Sequence, residues 1–227
     1  MRRTHTMRVA AAACCLAALA AGGTVRAEEG GWYLGANFGQ VINTYRHTDL
    51  DNALNDAFED ELTYTSSSIS EKKQAWWAAV GYMTSPYLGF EASYLALGRL
   101  DYHASAKQTS VFGTTPVTVD LNLKSRGPAA AVVGVLPLTN SWEVDARVGA
   151  YDGKTTTSYT SVVNKTTNNG LESKTSVSLL VGVGTAYTFS GHWALRVDYL
   201  HINQVKEQVL GHSFNEDLAT AGITFAF

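Results

Sequence analysis

The 227-residue chain predicts an all-β fold, an eight-stranded antiparallel up-and-down barrel that crosses a membrane. Three observations predict it. Apolar residues recur at every second position in eight separate stretches, the connections between them alternate short and long, and only 16% of the residues are charged. A soluble domain carries about 25% charge, so much of this surface is expected to lie outside water. With 45% apolar residues the chain is not disordered, and a mean hydropathy of −0.06 leaves no room for several long helical spans.

The first 27 residues read as a secretory signal peptide. Arg2, Arg3 and Arg8 precede an apolar run from Val9 to Ala21, and Val25-Arg26-Ala27 supplies the cleavage site before Glu28. The run is too short for a transmembrane helix. No leucine stands three positions before Cys14 or Cys15, which argues against a lipoprotein. The expected organisation is therefore residues 1–27 as leader and 28–227 as one barrel domain. Without the leader's four arginines, 13 Lys and Arg remain against 20 Asp and Glu, a formal charge of −7, and no cysteine remains. Disulfides and cysteine-ligated metals are excluded, and nucleic acid is not a fitting partner for an acidic chain without a basic stripe.

The strands follow in order. Trp32, Leu34, Ala36 and Phe38 alternate with Tyr33, Gly35, Asn37 and Gly39. Trp76, Ala78, Val80 and Tyr82 oppose Trp77, Ala79, Gly81 and Met83, and Leu88, Phe90, Ala92, Tyr94 and Ala96 oppose Gly89, Glu91, Ser93 and Leu95. In the fourth strand Ala129, Ala131, Val133 and Val135 are expected on the apolar outer face, opposite Val132 and Gly134. Val144, Ala146, Val148 and Ala150 oppose Glu143, Asp145, Arg147 and Gly149. Val181, Val183, Thr185 and Tyr187 oppose Gly182, Gly184 and Ala186; Trp193, Leu195, Val197 and Tyr199 oppose Ala194, Arg196 and Asp198. The eighth strand sets Ala219, Ala221, Ile223, Phe225 and Phe227 against Thr220, Gly222, Thr224 and Ala226. Period two is the signature of a strand with two unlike faces.

Short turns at Thr84-Ser85-Pro86, Pro137 to Ser141 and Ser190-Gly191-His192 alternate with long polar connections at about Asn43 to Lys73, His103 to Pro116, Asp152 to Ser176 and Gln204 to Asn215. Short turns at one end and long loops at the other match an outer-membrane barrel, with the turns periplasmic and the loops extracellular. Hydrocarbon cannot satisfy backbone N–H and C=O groups, so a spanning sheet must close on itself. Trp32, Tyr82, Tyr87, Trp142, Tyr187 and Trp193 gather near the short turns, where an aromatic girdle meets the headgroups. A soluble barrel would turn its apolar face inward. Here Glu91, Glu143, Asp145, Arg147, Arg196 and Asp198 fall on the glycine-rich face, which suits a crowded interior.

The run Val80 to Arg99, with Pro86-Tyr87-Leu88-Gly89-Phe90-Glu91 at its centre, resembles the second hairpin of the OmpA-like transmembrane domain. Gly31 to Gly39, Trp193 to Tyr199 and Gly222 to Phe227 are similar to other parts of it, so the resemblance spans the mature chain. It implies an interior salt-bridge network including Glu91 and Arg196, with Arg147 matching a further interior arginine. The family's interior lysine falls on an apolar residue near Val132, and a second glutamate falls near Ala186, so a differently wired network is expected. Ile223, Phe225 and Phe227 resemble the signal read by the barrel assembly machinery, which with periplasmic chaperones is an implied partner. The peptidoglycan-binding domain of larger members is expected to be absent.

The bore of eight strands is filled by side chains, so a structural or surface-interaction role is expected, with a narrow channel for small solutes as the alternative. Some small outer-membrane barrels are lipid A-modifying enzymes, which directs attention to His212-Ser213, His201, and His103 with Asp101. Adjacent strand residues point to opposite faces, and His201-Ile202-Asn203 lacks the serine of a deacylase-like pattern, so no catalysis is expected. No cofactor or metal is expected either. Asp49, Asp51, Asp56, Glu59, Asp60 and Glu61 lack the glycine and spacing of a calcium loop. Leu50, Ala53, Leu54, Ala57, Phe58 and Leu62 recur at helical spacing, consistent with a short amphipathic helix or a solvated acidic loop. The Thr- and Ser-rich third loop reads as mobile or as an extended hairpin. Expected partners are outer-membrane lipids, lipopolysaccharide, and a host or phage surface ligand.

Overall fold

The computed structural model describes residues 31–42, 62–110, 113–163, 166–206 and 213–227. They form nine strands: β1 (Trp32–Val41), β2 (Leu62–Lys72), β3 (Gln74–Ser85), β4 (Leu88–Ser110), β5 (Gly113–Pro137), β6 (Trp142–Val163), β7 (Thr166–Ser190), β8 (Trp193–Lys206) and β9 (Ser213–Ala226). One residue, Lys73, separates β2 from β3. Both pair with β4, β3 along its first half and β2 along its second, so the ring keeps eight places while β2 makes strand of residues expected in the connection from Asn43 to Lys73. The break coincides with the end of β1, where the Val41 N–H donates to the Lys73 carbonyl at 2.7 Å.

Every pairing is antiparallel, and together the pairings form a ring. From β1 it runs through β3, β4, β5, β6, β7 and β8 to β9, which pairs with β1 again from Tyr33↔Ala226 to Val41↔Leu218. An outward band of apolar side chains surrounds it, including Leu34, Phe90, Val148, Val183 and Val197.

Two expectations are corrected here. The connection His103 to Pro116 is mostly strand, whereas for Asp152 to Ser176 the extended-hairpin alternative holds, because β4 to β7 continue for 22 to 25 residues each. Their Thr, Val and Tyr content favours extended backbone. Alternation persists there too, with Tyr102, Ala104, Val119 and Leu121 buried on one face. On β5 the faces are the reverse of the sequence expectation. Val133 is 3% exposed and Ala129 is buried, while Val132 and Leu136 face outward. Both sets on that strand are apolar, so alternation alone could not orient it. Ala129 packs inward with Tyr151, Leu180 and Leu200.

The predicted leader and the acidic first loop, from Asp49 to Glu61 with its helical apolar spacing, lie outside the described residues; Leu62 opens β2 instead. Inside the ring, the half nearer the long hairpins holds an apolar cluster that includes Trp77, Leu95, Leu97, Tyr151, Leu200, Ile202 and Leu218. The half nearer the short turns is polar.

Candidate functional site

The polar layer is assembled from strands distant in sequence. β4 contributes Glu91, β6 contributes Asp145 and Arg147, and β8 contributes Arg196 and Asp198, each on the inward parity of its strand and each at most 7% exposed. Between β6 and β8 lies β7, whose Gly184 pairs with Asp145 on one side and Asp198 on the other. A Cβ at Gly184 would sit 2.4 Å from the Asp198 carboxylate and 2.7 Å from that of Asp145. The missing side chain is what lets the two carboxylates converge.

Arg147 is the hub. Its Nη2 donates to Asp145 and, at 2.9 Å, to Asp198, while its Nη1 reaches Glu91 at 3.4 Å. Arg196 donates through Nε and Nη2 to both oxygens of Asp198, at 3.0 and 2.9 Å, and through Nη2 to Asp145 at 3.2 Å. The second oxygen of Glu91 accepts the Tyr33 hydroxyl at 2.9 Å. Two cations thus hold three buried carboxylates. Such an arrangement offsets its desolvation cost only when hydrogen bonds occupy most lone pairs. Glu143 stands apart: its carboxylate makes no hydrogen bond or ion pair among the described residues, and it lines a cavity of about 1140 Å³ at the short-turn end, with Asp145, Arg196 and Thr224.

Trp77, on β3, is the member of the apolar cluster that meets this layer. The Arg147 and Arg196 guanidiniums lie 5.1 and 5.6 Å from its ring centre, and its indole N–H donates to Thr220 Oγ1 at 3.1 Å. Cation–π attraction strengthens when water is excluded. Sequence reasoning placed Trp77 on the inner face but gave it and Tyr33 no role. The signal was present in a tryptophan at a position otherwise held by small residues. Val132 points outward, so the place expected for an interior lysine belongs to its inward neighbours Ala131 and Val133; Ala186 is buried and pairs with Arg196.

The aromatics form cross-strand pairs near the short turns. Trp32 and Tyr82 lie 5.0 Å apart, as do Trp142 and Tyr187, while Trp193 meets Phe225 at 4.7 Å with the rings tilted. Tyr87 is exposed beside the first turn. Phe225 in turn meets Phe227 edge-on at 5.1 Å, and Ile223 faces outward above them. A second aromatic row, with Trp76 beside Tyr94 at 6.1 Å and Phe38 exposed nearby, marks the opposite edge of the apolar band. That row was not anticipated.

The described histidines of the long hairpins pair with carboxylates. His103 pairs with Asp120 at 2.6 Å, while Asp101 accepts instead from Arg99 and Asn122. His201 pairs with Asp217 at 2.6 Å, and Tyr199 donates to the same oxygen. Neither imidazole is hydrogen-bonded to a serine among the described residues. His212 lies outside them.

Residues 27–227 match the family model of the OmpA-like transmembrane domain. Outer membrane protein A of Yersinia pseudotuberculosis serotype I (strain IP32953) is 28% identical over 160 residues, 66% of this chain and 39% of that protein. Outer membrane protein A of Serratia marcescens is 24% identical over 153 residues, 66% of this chain and 38% of that protein. The chain thus spans about two fifths of the length of these relatives. Among solved structures, Ail of Yersinia pestis in complex with the heparin analogue sucrose octasulfate aligns at 13% identity and a TM-score of 0.47, covering 88% of this chain and all of that one. Neisserial surface protein A aligns at 15% identity and a TM-score of 0.45, over 88% of this chain and all of that one.

Proposed function

Because this chain belongs to the OmpA-like transmembrane domain family, a family of the bacterial outer membrane, we propose that it is a closed barrel with a structural and surface-interaction role and no catalysis. The observation that supports this reading is the pair of inward side-chain layers. Ion-paired side chains of β4, β6 and β8 fill the polar layer, and Trp77 with the apolar cluster fills the half beyond it. An ion entering from the short-turn cavity would have to part Arg147 and Arg196 from their carboxylates and then cross apolar packing. Each step leaves buried charge unpaired.

In this reading the short turns face the periplasm and the hairpins β4–β5 and β6–β7 face outward. The hairpins present the surface for a host or phage ligand. The outward band contacts membrane lipid, and Ile223, Phe225 and Phe227 serve the assembly machinery. Among the described residues the two His–Asp pairs are hydrogen-bonded to no serine, which supports a non-enzymatic role.

Recording from the full mature chain in planar bilayers tests the proposal. It expects no stable unitary openings in either polarity. Steady openings that persist across voltage would overturn it in favour of the narrow channel.

A further inference from the structure

Above the apolar band, the outer surface of β4, β5 and β6 gathers cations. On β5, Lys124 and Arg126 continue the outward parity of Ala130 and Val132. On β6, Lys154 continues that of Val148 and Ala150, and it lies directly opposite Arg126. Arg99 lies opposite Lys124. Its orientation depends on a bulge. The β4–β5 register shifts between Leu97 and Arg99, so the inward positions pass from Glu91 and Leu95 below it to Leu100 and Tyr102 above. Without that extra residue, Arg99 would point into the barrel.

Two like-charged pairs thus stand side by side on adjacent strands. Directly opposed like charges destabilise a sheet, so the arrangement calls for an anion. Among the described residues only Arg99 has one, with Asp101 at 2.7 Å. Lys124, Arg126 and Lys154 are exposed and make no ion pair or hydrogen bond among the described residues. Asp152 is the nearest carboxylate along β6 on the same face, and it is not within ion-pair distance of them.

Position identifies the anion. On β6 the outward apolar run ends at Ala150, and Lys154 follows four residues on; at about 3.3 Å per residue along a tilted strand, the cluster stands roughly 10 Å beyond the hydrocarbon edge. That is headgroup level, and the side chains point away from the bore toward neighbouring lipid. Resting on the outer-membrane reading above, we propose that Lys124, Arg126 and Lys154, flanked by Arg99, bind the phosphate groups of an outer-leaflet phosphoglycolipid of the lipid A type. Lysine and arginine donate charge-assisted hydrogen bonds to phosphate oxygens, and arginine does so through two parallel donors.

The test is retention of lipid by the full mature chain in phosphatidylcholine nanodiscs doped with bisphosphorylated or fully dephosphorylated lipid A, counted by native mass spectrometry. Wild type is expected to retain the bisphosphorylated form preferentially. Arg126→Gln with Lys154→Gln should weaken that retention on the order of thirtyfold, taking each interfacial cation at about fivefold. Lys107→Gln with Lys174→Gln, the same charge change elsewhere on the hairpins, should leave it unchanged. Equal retention by the two double variants, or of the two lipids by wild type, would overturn the proposal. So would equal displacement of bisphosphorylated lipid A from both double variants by inorganic phosphate, which would assign the site to a free anion. If the first double variant fails to fold, as judged by its heat-modified gel mobility, the wild-type comparison of lipids still decides. A conducting barrel would sink the closed-bore reading without touching this outcome, and phosphate-independent retention would do the reverse.

Discussion

The Arg147 guanidinium lies 5.1 Å over the ring of Trp77 while its nitrogens hold Glu91, Asp145 and Asp198. One side chain therefore joins the polar layer to the apolar cluster. Removing it strands three carboxylates whose only other described cation is Arg196. Arg147→Ala is expected to cost about 3–5 kcal/mol, read as a lower urea midpoint for loss of the compact, heat-modifiable form. Arg147→Lys keeps the charge but cannot reach three carboxylates in one plane, and should recover only part of the loss.

Trp77 contributes through packing, through its ring face and through its N–H. Trp77→Phe keeps the first two and leaves Thr220 without its donor, at an expected cost of about 1 kcal/mol. Trp77→Ala opens a cavity between the two layers and should cost about 3–5 kcal/mol. Equilibrium unfolding of the two variants side by side checks the ranking, and equal losses would show that the ring contributes nothing.

Glycine is required at some places in the sheet, as on the inner face at Gly149, and incidental at others, as on the outer face at Gly134. A Cβ at Gly149 would fall 2.0 Å from the Ala130 carbonyl oxygen, on backbone that cannot give way, whereas at Gly134 the nearest atom is 3.9 Å off. Gly149→Ala should fail to reach the compact form in refolding assays; Gly134→Ala should refold as wild type.

The aromatic pair Trp142–Tyr187 joins β6 to β7 near the short turns. A double-mutant cycle through Trp142→Ala and Tyr187→Ala is expected to show a coupling of about 0.5–1.5 kcal/mol. Additive losses would mean that each ring contacts lipid independently.

Phe227 is 66% exposed, and within the barrel its backbone N–H donates to the Trp32 carbonyl at 2.9 Å. Replacing its side chain leaves that bond in place. Phe227→Ala should therefore refold in detergent like wild type yet accumulate less in the outer membrane of cells, as quantified by membrane fractionation. Equal accumulation would remove Phe227 from the proposed assembly signal.

The eight strand positions and most outward faces were legible because lipid and a polar interior impose opposite chemistries on successive residues, as between Phe90 and Glu91. Where both faces are apolar that contrast disappears, and Val132 and Val133 could not be told apart. Loop length was misread for the same reason in reverse. Beyond the apolar band the β6–β7 hairpin is rich in Thr, Ser and Asn, which a loop also uses. The members of the charge layer could be picked by parity, but their wiring could not. It depends on a close approach across Gly184 and on a tryptophan whose role only the third dimension reveals. The bulge before Arg99 was equally silent, since one inserted residue leaves composition untouched.

The seam between β1 and β9 carries a kinetic consequence. β1 is the first strand of the ring and β9 the last, yet nine residues of β1 pair directly with β9. Until β9 arrives, β1 keeps an open edge and Thr220 is absent from beneath the indole of Trp77. Closure therefore follows synthesis and export of every strand from β1 to β9, and the unsealed sheet must be shielded from aggregation in the interval.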